Sequence, residues 1–478
     1  MIGKTLIVAS WLASTAVAET VHGVVVFTRH GDRNTKHYGA QAITSVGAQQ
    51  CFQVGSDYRG RYLESGSPHR ILGISEDKYV SSQVYASAPD QSLLKNSATA
   101  FLQGLYPPLV ELDAEVATST LNNGSESTSP LNGYQYVFLH GENSNSPDTI
   151  WIKGDDGCPA NAAAYKAFEA SEEFKTRMET TKDFYGGLYD VLESVYDYKP
   201  ENMTYKNAYD IFDLINVARI HNSTSLARNV TDEELFQLRT LADSAEFGYN
   251  FNASQPERAI HAQTLTAGIL TQLNQTVTSK GKLKFSLLSG SYDTFLAFFG
   301  LTDLVSVSAN FTGLPDYAST MAFELYSDDA TTFPANADDD LRVRFLFRNS
   351  TFGELTAYPL FGANEETLSW PRFVSEMQER AISTVDEWCA ACSSKVSFCP
   401  ASQREVSSSA SSKSSGGMSN AVAGVIGAMV TLGVVAIAGG IAFLVVRKRR
   451  STHSGVAASS QGVSAEKSSL YSGGSKSV

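Results

Sequence analysis

The sequence predicts an α/β fold with an inserted, mainly α-helical segment and one transmembrane helix. Three observations predict it. Apolar β-branched runs alternate with stretches of helical periodicity toward both ends of the segment 19–400. The middle of that segment carries long helical patterns and few strand signals, and the 26 uncharged residues 421–446 are enough to cross a bilayer. The chain has 478 residues, of which 42% are hydrophobic and 18% charged, which suits a large buried core and excludes a wholly disordered chain.

Residues 1–18 read as a signal peptide: Lys4, an apolar run over 5–13, then Ala16-Val17-Ala18, the small-residue pattern at which such leaders are cut. Residues 21–28, VHGVVVFT, fit a buried strand that runs into Arg29-His30-Gly31-Asp32-Arg33. The charges therefore sit at a strand's C-terminal end, where open α/β sheets gather ligands. Residues 44–63 place Gly47, Cys51, Val54, Tyr58 and Tyr62 at helical spacing and end in Arg59 and Arg61, cations suited to a helix C-terminus. A strand at 79–86 leads into a helix stopped by Pro107 and Pro108.

Residues 19–112 and 256–400 thus form the α/β core, and 113–255 form a helical cap insertion with helices at 160–196, 204–222 and 231–249. The second core segment offers a helix at 256–275, a strand at 283–289 and paired alternating runs at 321–326 and 341–347. A Ser- and Gly-rich stalk occupies 401–420. After the transmembrane helix 421–446 come Arg447, Lys448, Arg449 and Arg450, so the positive-inside rule puts the tail 447–478 in the cytosol. The topology is type I, with the ectodomain extracellular or lumenal at the cell surface or on a secretory-pathway membrane.

Setting aside the +1 of the leader and the +5 after Val446, the formal charge of −13 leaves the ectodomain at about −19. That surface excludes nucleic acid as a partner, since it repels polyanions at long range. Eight N-x-[ST] sequons, at Asn123, Asn202, Asn222, Asn229, Asn252, Asn274, Asn310 and Asn349, all lie on the lumenal side and predict N-glycans. Cys389 and Cys392 have the spacing of zinc ligands, but there is no second such pair and the compartment is oxidising, so disulfides are expected in place of a metal. Cys51 is the expected buried free thiol, and the other four cysteines can pair in three ways.

Arg29-His30-Gly31-Asp32-Arg33 resembles the RHGxRxP signature of the histidine phosphatase superfamily, in its acid phosphatase and phytase branch. Residues 43–49 with 58–62 are similar to the branch's LTxxGxxQ…LRxRY helix, and 100–108 to its AFLxGLYPP ending; 259–269, 320–326 and 343–349 also match. The resemblance covers about 21–400. It implies a phosphoglycerate mutase-like core with a central, mostly parallel sheet flanked by helices, a small phosphomonoester as substrate, and no metal or organic cofactor. By carry-over, His30 is the nucleophile that forms a phosphohistidine, Arg29 and Arg33 bind the substrate phosphate, and Asp293 protonates the leaving group. The residue types suit that chemistry: a neutral imidazole attacks phosphorus in line while guanidinium forks neutralise and orient the oxygens.

The chain also departs from the pattern. Leu93 stands where the branch has a third phosphate-binding arginine, and Tyr292 replaces the histidine of the His-Asp motif; Thr35 replaces the proline. Tyr292 reads either as a hydroxyl donor in the phosphate pocket or as core packing, and Asp293 either as the acid or as a helix-cap residue. Lys95 is one candidate to restore a cation. Two functions follow: a membrane-anchored acid phosphatase-like hydrolase with a mildly acidic optimum, or a catalytically weak or inactive pseudophosphatase that binds partners at the cell surface. The acidic ectodomain argues against highly phosphorylated substrates such as phytate.

Overall fold

Strand β1 (Glu19–Arg29) is buried along nearly its whole length, as its unbroken VVVF run requires. Alternate side chains enter opposite apolar clusters, Val24 and Val26 on one face and Val25 and Phe27 on the other, so β1 is a central strand with layers on both sides. The computed structural model describes residues 19–400 except Tyr196 and Asp329. The signal peptide, stalk, transmembrane helix and tail expected at 1–18, 401–420, 421–446 and 447–478 lie outside the described residues, among which no helix is long and apolar enough to cross a membrane.

After β1 come α1 (Ser45–Tyr62), β2 (Val84–Pro89) and α2 (Ser92–Leu105), with α1 and α2 packed on the face that receives Val24 and Val26. The buried residues of α1 include Gly47, Cys51, Val54, Tyr58 and Tyr62, the face read from the spacing, and Arg59 and Arg61 close its last turn. β2 starts later than expected because Tyr79 donates its N–H to the Gln135 side chain and the chain turns before Val84.

The longer helices of the insertion lie in its later part. Its first third holds a small hairpin, Thr118–Thr120 with Glu126–Thr128, and β3 (His140–Glu142), which pairs with β2 and so belongs to the central sheet. Its longest helices are α3 (Pro159–Glu169), α4 (Glu172–Thr180), α5 (Ala208–His221) and α6 (Asp232–Asn250). The single helix expected over 160–196 is broken after Ala170, where the Ser171 hydroxyl accepts the Phe174 N–H and caps a new helix.

The core resumes with α7 (Ile260–Thr278), β4 (Phe285–Gly290), α8 (Tyr292–Leu301), β5 (Thr320–Asp328), β6 (Arg342–Arg348) and β7 (Thr367–Ser369), and α9 (Val385–Cys392) follows. The eight-stranded sheet runs β7-β6-β5-β1-β4-β2-β3, with Thr356–Ala357 on β6. It is mixed, which corrects the mostly parallel expectation. β1, β4, β2 and β3 are mutually parallel, whereas β5, β6 and β7 join antiparallel, β5 directly against β1. The parallel half delivers its C-terminal ends, Arg29, Gly290 and Pro89, to one edge.

Disulfides join Cys158 to Cys392 and Cys389 to Cys399, so the zinc-like spacing belongs to two bridges leaving one helix, and Cys51 is a buried free thiol. Seven of the eight sequon asparagines are exposed, and Asn202 is half-buried.

Candidate active site

The loop after β1 lies directly on the first turn of α1. A Cβ at Gly47 would stand 2.1 Å from the Asp32 carbonyl oxygen, and one at Gly31 would stand 2.2 Å from that of Gly47, so only hydrogen fits at either place. The Thr44 hydroxyl accepts the Gly47 N–H at 3.1 Å and also bonds the Asp32 carboxylate, which is joined at 2.7 Å by His221 Nε2 from the end of α5. These contacts fix the backbone on which His30 sits.

His30 is buried, and its Nδ1 lies 2.8 Å from the Gly31 carbonyl oxygen. A carbonyl only accepts, so Nδ1 carries the proton and Nε2 keeps its lone pair. Burial, then the charges of Arg29 and Arg33, hold the imidazole well below its ordinary pKa. The ring is therefore neutral, with its free lone pair on Nε2.

Both flanking guanidiniums are buried. Arg29 donates through Nη1 to the Pro315 carbonyl and lies between Tyr317 and Tyr292, 4.7 and 5.2 Å from their ring centres. Arg33 Nη1 donates to both oxygens of Asp213 at 3.0 and 3.1 Å, and its Nη2 donates to the Tyr209 hydroxyl at 3.0 Å. Asp213, on α5, also accepts from the Thr35 hydroxyl at 2.9 Å and the Lys36 N–H at 2.8 Å. Even so, Nε of Arg29 and Nε of Arg33 are both buried without an acceptor among the described residues. Two charged donors beside one neutral imidazole suit an oxyanion.

Tyr292, at the start of α8, joins this group: its ring stacks on Tyr209 with centres 4.7 Å apart, and its hydroxyl donates to Glu246 Oε2 at 3.0 Å. Asp293 follows Tyr292 on α8. Its Oδ1 accepts the Thr294 N–H at 2.9 Å, and its side chain lines a cavity of about 610 Å³ together with Lys36, Lys153, Glu246 and Tyr292. A second cavity, of about 290 Å³, is lined by Arg29, Asp213 and Tyr317, and Tyr209 faces both. Leu93 is buried at the start of α2, and Lys95 is engaged by Asp90 near the surface, so neither adds a cation to the cradle.

A family model described as the histidine phosphatase superfamily, branch 2, matches residues 35–348, beginning just after the Arg29–Arg33 cluster. The chain belongs to that family. This branch 2 histidine phosphatase is thereby placed among histidine acid phosphatase-type enzymes. It is 25% identical over 353 residues to the lysosomal acid phosphatase of Xenopus laevis, covering 70% of this chain and 71% of that protein. It is 22% identical over 374 residues to human prostatic acid phosphatase, covering 75% and 85%. Its fold resembles that of apo Hafnia alvei phytase, with a TM-score of 0.50 at 13% identity over 79% of this chain and 99% of the phytase.

Sequence reasoning about this histidine phosphatase missed Asp213, Tyr209 and Glu246, all supplied by the cap. One signal was available for Asp213: it lies between Phe212 and Leu214 on a helix otherwise apolar there, and a buried acid needs a partner. Glu246 reads in sequence like any helical surface acid.

Proposed function

We propose that the protein is an acid phosphatase-type hydrolase of small phosphomonoesters that works through a phosphohistidine on His30, in a lumenal or extracellular ectodomain carrying N-glycans and held to the membrane by residues 421–446. The observation that carries this reading is the pair of buried Nε donors of Arg29 and Arg33, both without an acceptor among the described residues, whose charges act on a neutral imidazole. An unsatisfied buried donor costs about 1 to 3 kcal/mol, more when charged, and the oxygens of a bound phosphoryl group relieve both costs at once.

Nε2 of His30 attacks phosphorus in line as the ester oxygen departs, a carboxylic acid protonates that oxygen, and water then releases phosphate from the imidazole. The acid step favours a mildly acidic optimum. Leu93 and Tyr292 make the site weaker than the family pattern: each missing donor costs about 2.7 to 4 kcal/mol, so two slow turnover roughly 10⁴-fold unless neighbouring groups compensate.

A second reading, an inactive pseudophosphatase that binds partners at the cell surface, is favoured by one observation: Asp213 already occupies part of Arg33. Turnover of a chromogenic phosphomonoester by the purified protein from pH 3 to 8, beside His30→Ala, separates the two. The hydrolase reading expects His30-dependent release and an acid-labile phosphoenzyme. Wild-type rates no higher than those of His30→Ala leave only the binding protein.

A further inference from the structure

We propose that Glu246, on cap helix α6, is the proton donor to the leaving group, the role that the family pattern gives to Asp293. The assignment rests on the phosphatase reading above.

The geometry is the first warrant. Glu246 Oε2 holds the hydroxyl of Tyr292, the residue that stands in place of the motif's histidine, and the Tyr292 ring lies 5.2 Å from the Arg29 guanidinium. Its carboxyl is therefore one hydroxyl removed from the phosphate cradle. It also opens on the larger cavity, and Oε1 makes no hydrogen bond to the described residues.

The second warrant is the state of the competing acid. Asp293 sits in the first turn of α8 with Oδ1 taken by the Thr294 N–H. Burial works to raise its pKa, but His261, Lys153 and Lys36 outweigh that and lower it. A carboxylate held ionised has no proton to give. Glu246 is the reverse: burial pushes its pKa up to about 7, against the pull of Lys36 and the Tyr292 hydroxyl. The ionisable groups around it are Lys36 from the signature loop, Tyr292 and Asp293 from α8, Tyr209 from α5, Tyr165 from α3, Tyr205 ahead of α5 and Tyr249 from α6 itself.

The step balances. The His30 Nε2 lone pair forms the N–P bond as the ester P–O bond breaks; the electron pair leaves on the ester oxygen, which takes the Glu246 proton and departs as an alcohol. Water then forms a new O–P bond as N–P breaks, and its proton returns to the Glu246 carboxylate.

Leaving-group dependence tests this, because an alkoxide needs a proton and a dinitrophenolate does not. Glu246→Gln still accepts the Tyr292 hydrogen bond, and matched thermal melts with wild type verify its fold. We expect it to slow glycerol 2-phosphate about 10² to 10⁴-fold and 2,4-dinitrophenyl phosphate less than about fivefold, while Asp293→Asn slows both alike. Equal slowing of both substrates by Glu246→Gln, or the split appearing in Asp293→Asn, overturns the assignment and leaves the phosphatase reading standing. Dinitrophenyl phosphate turnover no faster than in His30→Ala overturns both.

Discussion

Tyr292→Phe removes one hydroxyl and little else. The ring keeps its stack on Tyr209 and its place beside Arg29, so the fold stays intact while Glu246 loses the donor 3.0 Å from its carboxylate. A hydrogen bond to a charged group is worth about 1.5 to 3 kcal/mol, and 1.36 kcal/mol corresponds to one pKa unit, so the full effect is about one to two units. Glu246 is half-buried, and water entering from the cavity takes over part of the lost bond, which places the shift near one unit. The sign is fixed: the hydroxyl stabilises the ionised form, so its loss raises a pKa already near 7. A proton donor must be protonated, so wild-type turnover of an alkyl phosphate falls as pH rises through about 7, and in Tyr292→Phe that fall comes about one unit later. The assay is kcat for glycerol 2-phosphate between pH 4 and 10, followed by phosphate release. The height of the plateau reports whatever the hydroxyl contributes to the phosphoryl oxygens; only the position of the alkaline limb reports Glu246. An unmoved limb, or one moved to lower pH, refutes the reasoning.

Two further expectations concern the scaffold. Glu324, fully buried on β5, binds Arg61, Arg344 and the Tyr62 hydroxyl at 2.7 to 3.1 Å, so Glu324→Gln strands two guanidiniums and costs about 3 kcal/mol in denaturant unfolding. Burial works to raise its pKa, but the two arginines outweigh that and lower it, so its stabilisation is present above the ordinary glutamate pKa of about 4.3 and is lost as pH falls below; the Gln variant should lose stability less steeply there, and an equal slope contradicts the claim. Gly47→Ala drives a methyl to 2.1 Å from the Asp32 carbonyl oxygen and should cost about 3 kcal/mol and displace His30, seen as weaker vanadate binding; unchanged stability and binding would show that the loop yields freely.

Strand β1 was legible because its two signals agree: an apolar run with no polar break demands burial on both faces, and a charged cluster at its buried end needs partners of its own. The α1 face was legible for the same reason, since Gly47, Cys51, Val54, Tyr58 and Tyr62 follow one period. Strand direction was not. Each of the runs around Phe323 and Phe345 shows that it pairs, but a hydrophobic pattern carries no information on which neighbour lies beside β1, and the antiparallel β5 fills that place. The break at Ser171 was readable in principle, because a serine followed by two glutamates opens a helix as readily as it continues one. The cap's share of the site was not: Asp213 lies 180 residues from Arg33, and only the folded chain joins them.

That junction makes the insertion inseparable from the signature it covers. Asp213 belongs to the lid, yet it holds the Arg33 side chain, the Thr35 hydroxyl and the Lys36 amide in register, so excising the lid would leave a bare cation inside the protein and unbind the loop that follows His30. Any graft of a foreign lid onto this sheet must import an acid at that one spot. Lid positions that hold the motif in place, Asp213 first among them, are thereby the least free to vary.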